Sequence, residues 1–448
     1  MQAFTIPIEG KYIIYRPLLR LAFVGNRAMA DLALDLAGRE NPSDMPAHDE
    51  ATQFLEAIGF FQPDPPPPGP PQRTYAPTHA VLLLTNRCNL RCTYCYANGG
   101  EGQPQDLPLE VARAAIDYVV HTTKERGQKG FQMTFHGGGE PVQAWKTLRA
   151  STAYARSKDL PCRVSMVSNG VWSARQREWI LNNLDELSIS LDGGKETQDR
   201  QRPFASGRGS FRSVLRTVQA LDQAEFPYGI RLTATAPWRG RLAEDVRAIC
   251  EETNCQAMQV EPAFNVERGG HRGPTLEEAR AYAEAFVEAF EVANEAGRRL
   301  TYSGARPWLL TGTFCSAPYG GLIVNPAGDL VACYEAADEA HPLGELSKVG
   351  HIADSHVIVD QEAREKLVDY LDSGRDRCGD CFCQYHCAGD CYTRAHFSRV
   401  DSPDGPSLRC MMNREITARL LLWYIMAGDG VWRGHQPHPQ ELHLLRTF

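Results

Sequence analysis

The sequence lacks the features of a membrane, secreted or nucleic-acid-binding protein. Its longest apolar run near the end, Leu420 to Ala427, is too short to cross a bilayer. Residues 1–10 lack both the charged region and the apolar core of a signal peptide. The formal net charge of -8 disfavours a basic face for nucleic acid. We therefore predict a cytoplasmic protein that binds neither a membrane nor nucleic acid.

The composition is also not that of a disordered chain, because 43% of the residues are hydrophobic and 23% are charged. A length of 448 residues allows two or three domains, and no internal repeat of fixed period is visible. The proline-rich run from Pro65 to Pro71 predicts an extended, semi-rigid linker. We therefore expect an N-terminal segment over 1–73, a central domain over 74–300 and a C-terminal domain over 301–448.

Strand-like runs alternate with helical patterns in the central region. The predicted strands are Ala80–Leu84, Phe131–Phe135, Arg163–Val167, Leu187–Leu191, Ile230–Ala234 and Ala257–Glu261. Such alternation predicts an α/β fold with a parallel sheet and helical crossovers. Six units suggest a partial (β/α)6 TIM-like barrel, with ligands at the carboxyl ends of its strands.

Other elements are predicted on both sides of these strands. Thr275 and Glu278 form a capping-box pattern at the start of a long helix. The predicted helices are 27–37, 49–58, 109–120, 211–221, 276–296 and 414–426, and a strand pair is predicted at 12–16 and 21–24. Regular periodicity fades beyond Thr301, where cysteine, glycine and proline dominate. We expect metal to hold that region together.

Fourteen cysteines are many for a cytoplasmic chain. Structural disulfides are rare in reducing compartments, so clustered cysteines there more often bind metal. Cys162, Cys250 and Cys255 are scattered and indicate ordinary thiols. The other eleven fall into groups with the spacing of metal ligands, which predicts metal centres.

The first group follows the first predicted strand directly, as Cys88-x₃-Cys92-x₂-Cys95. Three thiolates from one loop can hold a 4Fe–4S cube and leave its fourth iron open to another ligand. A structural zinc site usually has four closed protein ligands. A zinc loop and simple burial of the cysteines are the alternative interpretations.

This spacing, with the aromatic Tyr94 before the third cysteine, resembles the signature of the radical S-adenosylmethionine (SAM) superfamily. In that family the open iron binds the amino and carboxylate groups of SAM, and electron transfer yields a 5′-deoxyadenosyl radical. Further segments resemble its SAM-binding motifs, in order along the predicted strands. They are Gly138-Gly139-Glu140-Pro141, Ser168-Asn169-Gly170, Ser190-Leu191-Asp192-Gly193, Arg231 and Val260.

The resemblance implies a role for each of these residues, which line up with the family's cofactor-binding positions. Gly138, Gly139 and Glu140 would hold the SAM amino group. Ser190 and Asp192 would lie near the ribose and carboxylate. The remaining candidates are Asn169 in the third motif, Arg231 at the carboxylate and Val260 against the adenine.

The second group of cysteines resembles the seven-cysteine pattern of the SPASM domain, which occurs in radical SAM peptide maturases. The resemblance implies two auxiliary clusters, one held by Cys315, Cys333 and Cys391 and the other by Cys378, Cys381, Cys387 and Cys410. No further cysteine lies between Cys315 and Cys333, which leaves room for an open iron in the first. Cys383 is a spare thiol or an alternative ligand, and paired zinc knuckles are the competing interpretation.

The resemblance implies a radical SAM enzyme that has three 4Fe–4S clusters and crosslinks a ribosomally made peptide. It also implies an electron donor such as flavodoxin or ferredoxin. A sulfatase maturase that forms formylglycine is the alternative, and a zinc-stabilised interaction protein is the outsider. Sulfatase maturases carry an aspartate base directly after the second SPASM cysteine, where this chain has Tyr334. Glu335 or Asp338 is the candidate base, although surface carboxylates explain both. The N-terminal segment resembles a shortened leader-peptide recognition module or a simple barrel cap.

Overall fold

The computed structural model describes residues 1–39, 49–399 and 407–434. Within these ranges the chain forms two β-sheets, one of four strands and one of eleven. The larger sheet carries the candidate site, and the smaller sheet joins the two ends of the described chain.

The centre of the large sheet consists of parallel strands in chain order. These are β4 (His79–Leu83), β5 (Phe131–His136), β6 (Cys162–Ser168), β7 (Glu186–Ser190), β8 (Tyr228–Ala234), β9 (Ala257–Pro262) and the short β10 (Arg299–Thr301). All six predicted strands are confirmed, each to within two residues at either end. Their largely buried side chains suit a parallel sheet covered on both faces.

Helices connect these strands as crossovers. They are α3 (Leu109–Glu125), α4 (Trp145–Arg156), α5 (Ala174–Asn183), α6 (Lys195–Gln201), α7 (Phe211–Gln223), α8 (Arg241–Glu252) and α9 (Leu276–Glu295). The two helices before them, α1 (Arg27–Ala37) and α2 (Glu50–Ala57), belong to the N-terminal segment. A 3₁₀ turn, Pro141–Ala144, precedes α4. Helix α7 shows why they form, since Val214, Val218 and Leu221 repeat at helical spacing and are buried. The capping box of Thr275 and Glu278 at α9 is confirmed.

The cysteine-rich part adds more regular structure than the sequence predicts. Strand β11 (Gly321–Val324) pairs in parallel with β4, and β12 (Asp329–Val331), β13 (Lys348–Ala353) and β14 (His356–Val359) extend the sheet in antiparallel fashion. The helices of this part are α10 (Ala317–Gly320), α11 (Gly344–Ser347), α12 (Gln361–Asp376), α13 (Gln384–Cys387), α14 (Tyr392–His396) and α15 (Leu408–Ala427). The predicted last helix therefore starts six residues before Arg414. The strands are short and apolar, so they carry little periodicity in the sequence.

The small sheet has the order β1-β2-β3-β15, in which β1 is Phe4–Ile8, β2 Lys11–Arg16, β3 Leu21–Gly25 and β15 Val431–Arg433. The predicted strand pair and the helices α1 and α2 are confirmed. Strands β1 and β15 were not expected. Strand β15 covers the outer edge of β3, and its Trp432 is fully buried and stacked on Tyr424 at 5.9 Å.

The core runs continuously from the strands of the large sheet to the covering helices and to α15. A second apolar cluster joins the small sheet to α15 and to the segment that holds Cys383 and Cys387. Among the described residues, no helix combines the length and the apolar character that crossing a membrane requires.

Candidate functional site

A cavity of about 470 Å³ opens at the carboxyl ends of the parallel strands. The last residues of β5, β6 and β7, which are His136, Ser168 and Ser190, all line it. This is the place where parallel α/β sheets present their functional groups, because the strand ends converge there. The cavity also reaches residues of the cysteine-rich part, so both cysteine groups meet in it.

The first cysteine loop leaves β4 and forms one wall of the cavity. Cys88, Cys92 and Cys95 all line it. Side chains from other segments fix the loop: the Nη1 of Arg268 donates to the carbonyl oxygen of Cys92 at 2.7 Å, and the Nδ2 of Asn169 lies 3.8 Å from the Cys88 sulfur. The loop is therefore shaped by the protein itself.

These thiols are buried in a way that suits a positively charged centre. Burial raises the pKa of Cys88 to about 12 and that of Cys92 to about 11, and the neighbouring thiols add to both increases. Three thiolates so close together would be costly without a cation between them. The donor set therefore fits a metal centre, which binds cysteines as thiolates.

The number of cysteines on this loop distinguishes a cluster from a single zinc ion. Zinc draws its ligands onto a single tetrahedral centre. A 4Fe–4S cube spreads its thiolates over separate irons. Three cysteines on one loop therefore match the ligand number of a cube with one open iron, rather than the four protein ligands of a structural zinc site.

The predicted Gly-Gly-Glu-Pro motif follows β5 and also lines the cavity. Gly138 has a φ of 94°, and a Cβ on Gly139 would lie 2.1 Å from the carbonyl oxygen of Arg87, so only glycine fits this close approach. Glu140 is buried and accepts hydrogen bonds from the Ser168 hydroxyl at 2.7 Å and the Asn169 backbone N–H at 2.8 Å. Burial raises its pKa to about 7, although both hydrogen bonds lower it.

Asp192 has a different environment from the one expected for a SAM contact. It is absent from the cavity wall among the described residues, and its side chain is fully buried. Its carboxylate accepts hydrogen bonds from the Tyr94 hydroxyl, from the Nε of Arg202 at 2.9 Å and from the Thr233 backbone N–H at 2.9 Å. The Nε2 of Gln201 donates to it as well, at 2.8 Å. These contacts leave Asp192 behind the wall, where it positions Tyr94 and Arg202.

The other residues predicted to bind SAM also fall into those that line the cavity and those that are buried behind it. Asn169, Ser190 and Arg231 line the cavity. Val260 is fully buried in the apolar core instead, because its neighbours on β9, Gln259 and Glu261, take the cavity side and strand residues alternate between faces. The structure therefore does not bring the Val260 side chain to the place where an adenine contact was expected.

Three cysteines of the second group line the same cavity as the first loop. They are Cys315, Cys333 and Cys391, the set expected for one auxiliary cluster. Thr393 lies between two of them, with its hydroxyl 3.1 Å from the Cys391 sulfur and 3.9 Å from the Cys333 sulfur. Burial raises the pKa of Cys315 and of Cys333, and in both cases the Cys391 thiol adds to the increase.

The other four cysteines form a separate neighbourhood. Burial raises the pKa of Cys378, Cys387 and Cys410, and nearby thiols of the same set add to each increase. Cys381 differs, because a hydrogen bond from the Cys383 thiol lowers its pKa to about 6. The cysteines of each expected auxiliary set therefore lie near one another in the structure. Cys383 lies beside the set of Cys378, Cys381, Cys387 and Cys410.

Glu335, the candidate base, is held in an ion pair. The Nε and Nη2 of Arg394 donate to its Oε1 at 3.0 and 2.5 Å, and the Nη1 of Arg394 donates to Glu261 at 2.7 Å. Burial alone would raise the pKa of Glu335, but the guanidinium outweighs burial and lowers it. A carboxylate in this state is a weak base, so its geometry indicates a link between β9 and the cysteine-rich part.

Sequence reasoning missed several residues on the cavity wall. His136 stacks on Tyr334 with ring centroids 4.2 Å apart, which joins the end of β5 to the residue after Cys333. The backbone N–H of Gly137 donates to the Nδ1 of His136 at 2.7 Å, which places the ring proton on Nε2. Arg202 contacts the Cys92 sulfur. Of these residues, only His136 could have been predicted from the sequence, because it lies next to the glycine motif.

Comparisons with known proteins agree with this site. Residues 82–252 match the Radical SAM superfamily. The chain is 29% identical to the Bacillus subtilis sporulation killing factor maturation protein SkfB over 164 residues, or 36% of each chain. It is 25% identical to the Mycobacterium tuberculosis mycofactocin maturase MftC over 354 residues, or 75% of this chain and 83% of MftC.

A solved structure shows the same fold. Native anSMEcpe with bound AdoMet superposes with a TM-score of 0.62 at 18% identity, covering 78% of this chain and 99% of that one. The chain spans 53%, 36% and 56% of the first curated relatives it matches, so their whole activities do not transfer directly.

Proposed function

The chain carries a radical SAM domain, and on that premise we propose that it is a SAM-dependent peptide maturase that crosslinks a ribosomally made peptide. The observation that carries this proposal is the single cavity that Cys88, Cys92 and Cys95 share with Cys315, Cys333 and Cys391. A site where SAM is cleaved would then lie next to a second metal centre, which suits an oxidation that removes two electrons.

Each cysteine group has its own part in the proposal. The first three would hold a 4Fe–4S cluster with one open iron, and the parallel strands around it suit the partial (β/α)6 barrel. Two auxiliary clusters would occupy the other sets, Cys315, Cys333 and Cys391, and Cys378, Cys381, Cys387 and Cys410. When bound, the first cluster and SAM supply a 5′-deoxyadenosyl radical that removes a hydrogen atom from carbon.

The chain's own residues would bind and orient SAM. Glu140 is held only by neutral donors in the contacts described above, so a cationic amino group fits beside it. Arg231, whose pKa burial lowers to about 10, lines the cavity as a partner for a carboxylate. Asp192 acts one layer behind, where it fixes Tyr94 and Arg202 against the cysteine loop.

A peptide substrate is supported by the names of the relatives, since SkfB and MftC are both maturation proteins. Closing a crosslink removes one hydrogen atom, one proton and one electron from the peptide. The deoxyadenosyl group would accept the hydrogen atom, solvent would accept the proton, and the second cysteine region would receive the electron. A flavodoxin or ferredoxin is the proposed external reductant for the first cluster.

The small N-terminal sheet is the proposed place for a leader sequence, but its edges restrict how a strand could add. Strand β15 already pairs with β3, and Pro7 lies in β1, where a proline weakens an edge for pairing. We therefore propose that a leader adds to the outer edge of β15 or binds the helices α1 and α2, and not to β1 or β3.

The central claim is tested by SAM cleavage. Anaerobically reconstituted protein with a strong reductant and SAM should release 5′-deoxyadenosine, and replacement of Cys88, Cys92 and Cys95 by alanine should abolish that product. The control is the triple alanine variant of Cys162, Cys250 and Cys255, which lie outside the cysteine groups. Product release that survives the first set of replacements would exclude the proposed function.

The type of product separates the crosslink from formylglycine. The test substrate would be a short peptide encoded in a neighbouring reading frame, and a crosslink would lower its mass by two hydrogens. Formylglycine formation is the second candidate because anSMEcpe, which shares this fold, was solved with the peptides Cp18Cys and Kp18Cys. An aldehyde trapped by a hydrazide reagent would favour it over the crosslink.

A further inference from the structure

Among the hydrogen bonds of the described residues, Arg202 makes the one contact between a cationic side chain and a cysteine sulfur of the first loop. Its Nη1 lies 3.8 Å from the Cys92 sulfur, and its Nε donates to Asp192 at 2.9 Å. The guanidinium also lies over the Tyr94 ring, 5.3 Å from the ring centroid. Arg202 is only 8% exposed, so its charge acts where water screens little.

The protein fixes this arginine rigidly. Arg202 ends α6, and its backbone N–H donates to the Gln198 carbonyl oxygen at 2.8 Å. Asp192 in turn is held by donors from β8, from α6 and from the cysteine loop, as described above. The direction of the guanidinium toward Cys92 is therefore set by at least three separate parts of the chain.

A buried ion pair is weak evidence for stability, because two charges must leave water to form it. Asp192 and Arg202 have side chains that are 0% and 10% exposed. Aiming one of the two charges at a sulfur atom has a more specific consequence. It places a positive charge beside any metal centre that Cys92 helps to hold.

We propose that Arg202 raises the reduction potential of the cluster held by Cys88, Cys92 and Cys95, through its charged hydrogen bond to the Cys92 sulfur. This inference rests on the proposed function, which supplies the cluster. The reduced cluster carries one more negative charge than the oxidised cluster, so a nearby cation stabilises the reduced form more. Hydrogen bonds to the sulfurs are an established means of tuning such potentials.

Arg268 provides a matched control. It also lies against the loop, but its Nη1 and Nη2 donate to the carbonyl oxygens of Cys92 and Gly99, and its Nε pairs with the partly exposed Glu101. Arg268 therefore brings a positive charge to the loop through carbonyl oxygens, whereas Arg202 reaches a sulfur atom. If charge near the loop were enough, Arg268 would matter as much as Arg202.

The test is a potentiometric titration of the reconstituted holoenzyme, followed by electron paramagnetic resonance with and without SAM. The signal that changes on adding SAM identifies the first cluster among the three. For Arg202→Gln we expect the ratio of reduced to oxidised cluster at a fixed potential to fall about tenfold, a shift of about 59 mV to lower potential. Arg202→Lys keeps the charge and should recover part of the shift.

The outcomes separate this inference from the proposed function. If wild-type protein shows no SAM-sensitive signal, the proposed function fails. If that signal is present but its potential is unchanged in Arg202→Gln, or shifts equally in Arg268→Gln, the role of Arg202 is wrong. If Arg202→Gln does not fold, the double variant with Asp192→Asn removes both buried charges. A smaller shift to lower potential is then expected, because loss of the Asp192 carboxylate offsets part of the effect, and no shift would contradict the role of Arg202.

Discussion

Each cysteine region contains one buried Asp–Arg pair, and the two pairs are used differently. Asp192 and Arg202 lie behind the first loop, where the arginine reaches the Cys92 sulfur. Asp390 and Arg409 lie in the second region, with side chains only 1% and 2% exposed and two hydrogen bonds of 2.8 and 3.1 Å between them. The first pair acts on a sulfur, whereas the second pair joins two segments of chain.

The reason for the difference is how the cysteines reach their positions. Cys88, Cys92 and Cys95 come from one short loop that a large parallel sheet already supports. In the second region, Asp390 directly precedes Cys391, and Arg409 directly precedes Cys410. Their ion pair therefore brings together segments that the chain separates. A region without a sheet beneath every cysteine needs such links between its segments.

The cavity carboxylates show the same contrast. Glu140, near the first loop, accepts hydrogen bonds from neutral groups, and burial raises its pKa to about 7. Glu335, near the second group, is paired with Arg394, which lowers its pKa. The protein thus supplies a cation to Glu335, whereas Glu140 accepts hydrogen bonds from neutral groups, which fits its proposed place beside the SAM amino group.

The largest expected effect is on the second region's ion pair. Arg409→Leu should lower the free energy of unfolding by about 3–5 kcal/mol, because it leaves Asp390 buried and unpaired. Arg419→Leu on the same helix is the control: its exposed pair with Glu415 should contribute only about 0.3–0.5 kcal/mol. Urea unfolding of the reconstituted protein gives both values. Equal losses in the two variants would mean that metal alone holds the region together.

The next prediction concerns Glu140 and the pH. Because the pKa of Glu140 is raised to about 7 from an ordinary value of 4.5, the folded state binds more protons than the unfolded state between these limits. Stability should therefore fall as the pH rises from 4.5 to 7, by up to about 3 kcal/mol from this group. Glu140→Gln should remove that part of the pH dependence in protein without SAM.

Urea unfolding of wild type and Glu140→Gln at pH 5 and pH 8 isolates this contribution from other titrating groups. The variant should be the more stable at pH 8 and close to wild type at pH 5. In reconstituted protein, SAM should stabilise wild type at pH 8 but much less so the variant. If SAM stabilises both equally, Glu140 does not face the ligand's cation, and the contrast with Glu335 disappears.

The sequence predicted the strands around the first loop because their signals are local. Each strand carries apolar residues in a short run or at alternate positions, and each motif lies within its strand or shortly after it. The role of Asp192 was not predictable in this way, since Thr233 and Gln201, which occupy its oxygens, come from other parts of the chain. Strands β11 to β14 are too short for periodicity. Helix α12 could have been predicted from its N-cap residue Asp360, but we interpreted that region as irregular.

The smallest effect should come from Glu335, and it distinguishes an ion pair from a base. Loss of a general base lowers turnover by roughly 10²–10⁴, whereas loss of one partner of Arg394 leaves Glu261 in place. We expect Glu335→Gln to slow peptide modification by less than about tenfold at pH 7, because its lowered pKa makes it a poor proton acceptor. Glu261→Gln removes the other partner of the same guanidinium and is the matched control. Similar, small losses in both variants would support the structural role. A loss of about 100-fold in Glu335→Gln alone would instead show that the second region keeps a carboxylate for chemistry, whereas Glu140 in the first region serves binding in our proposal.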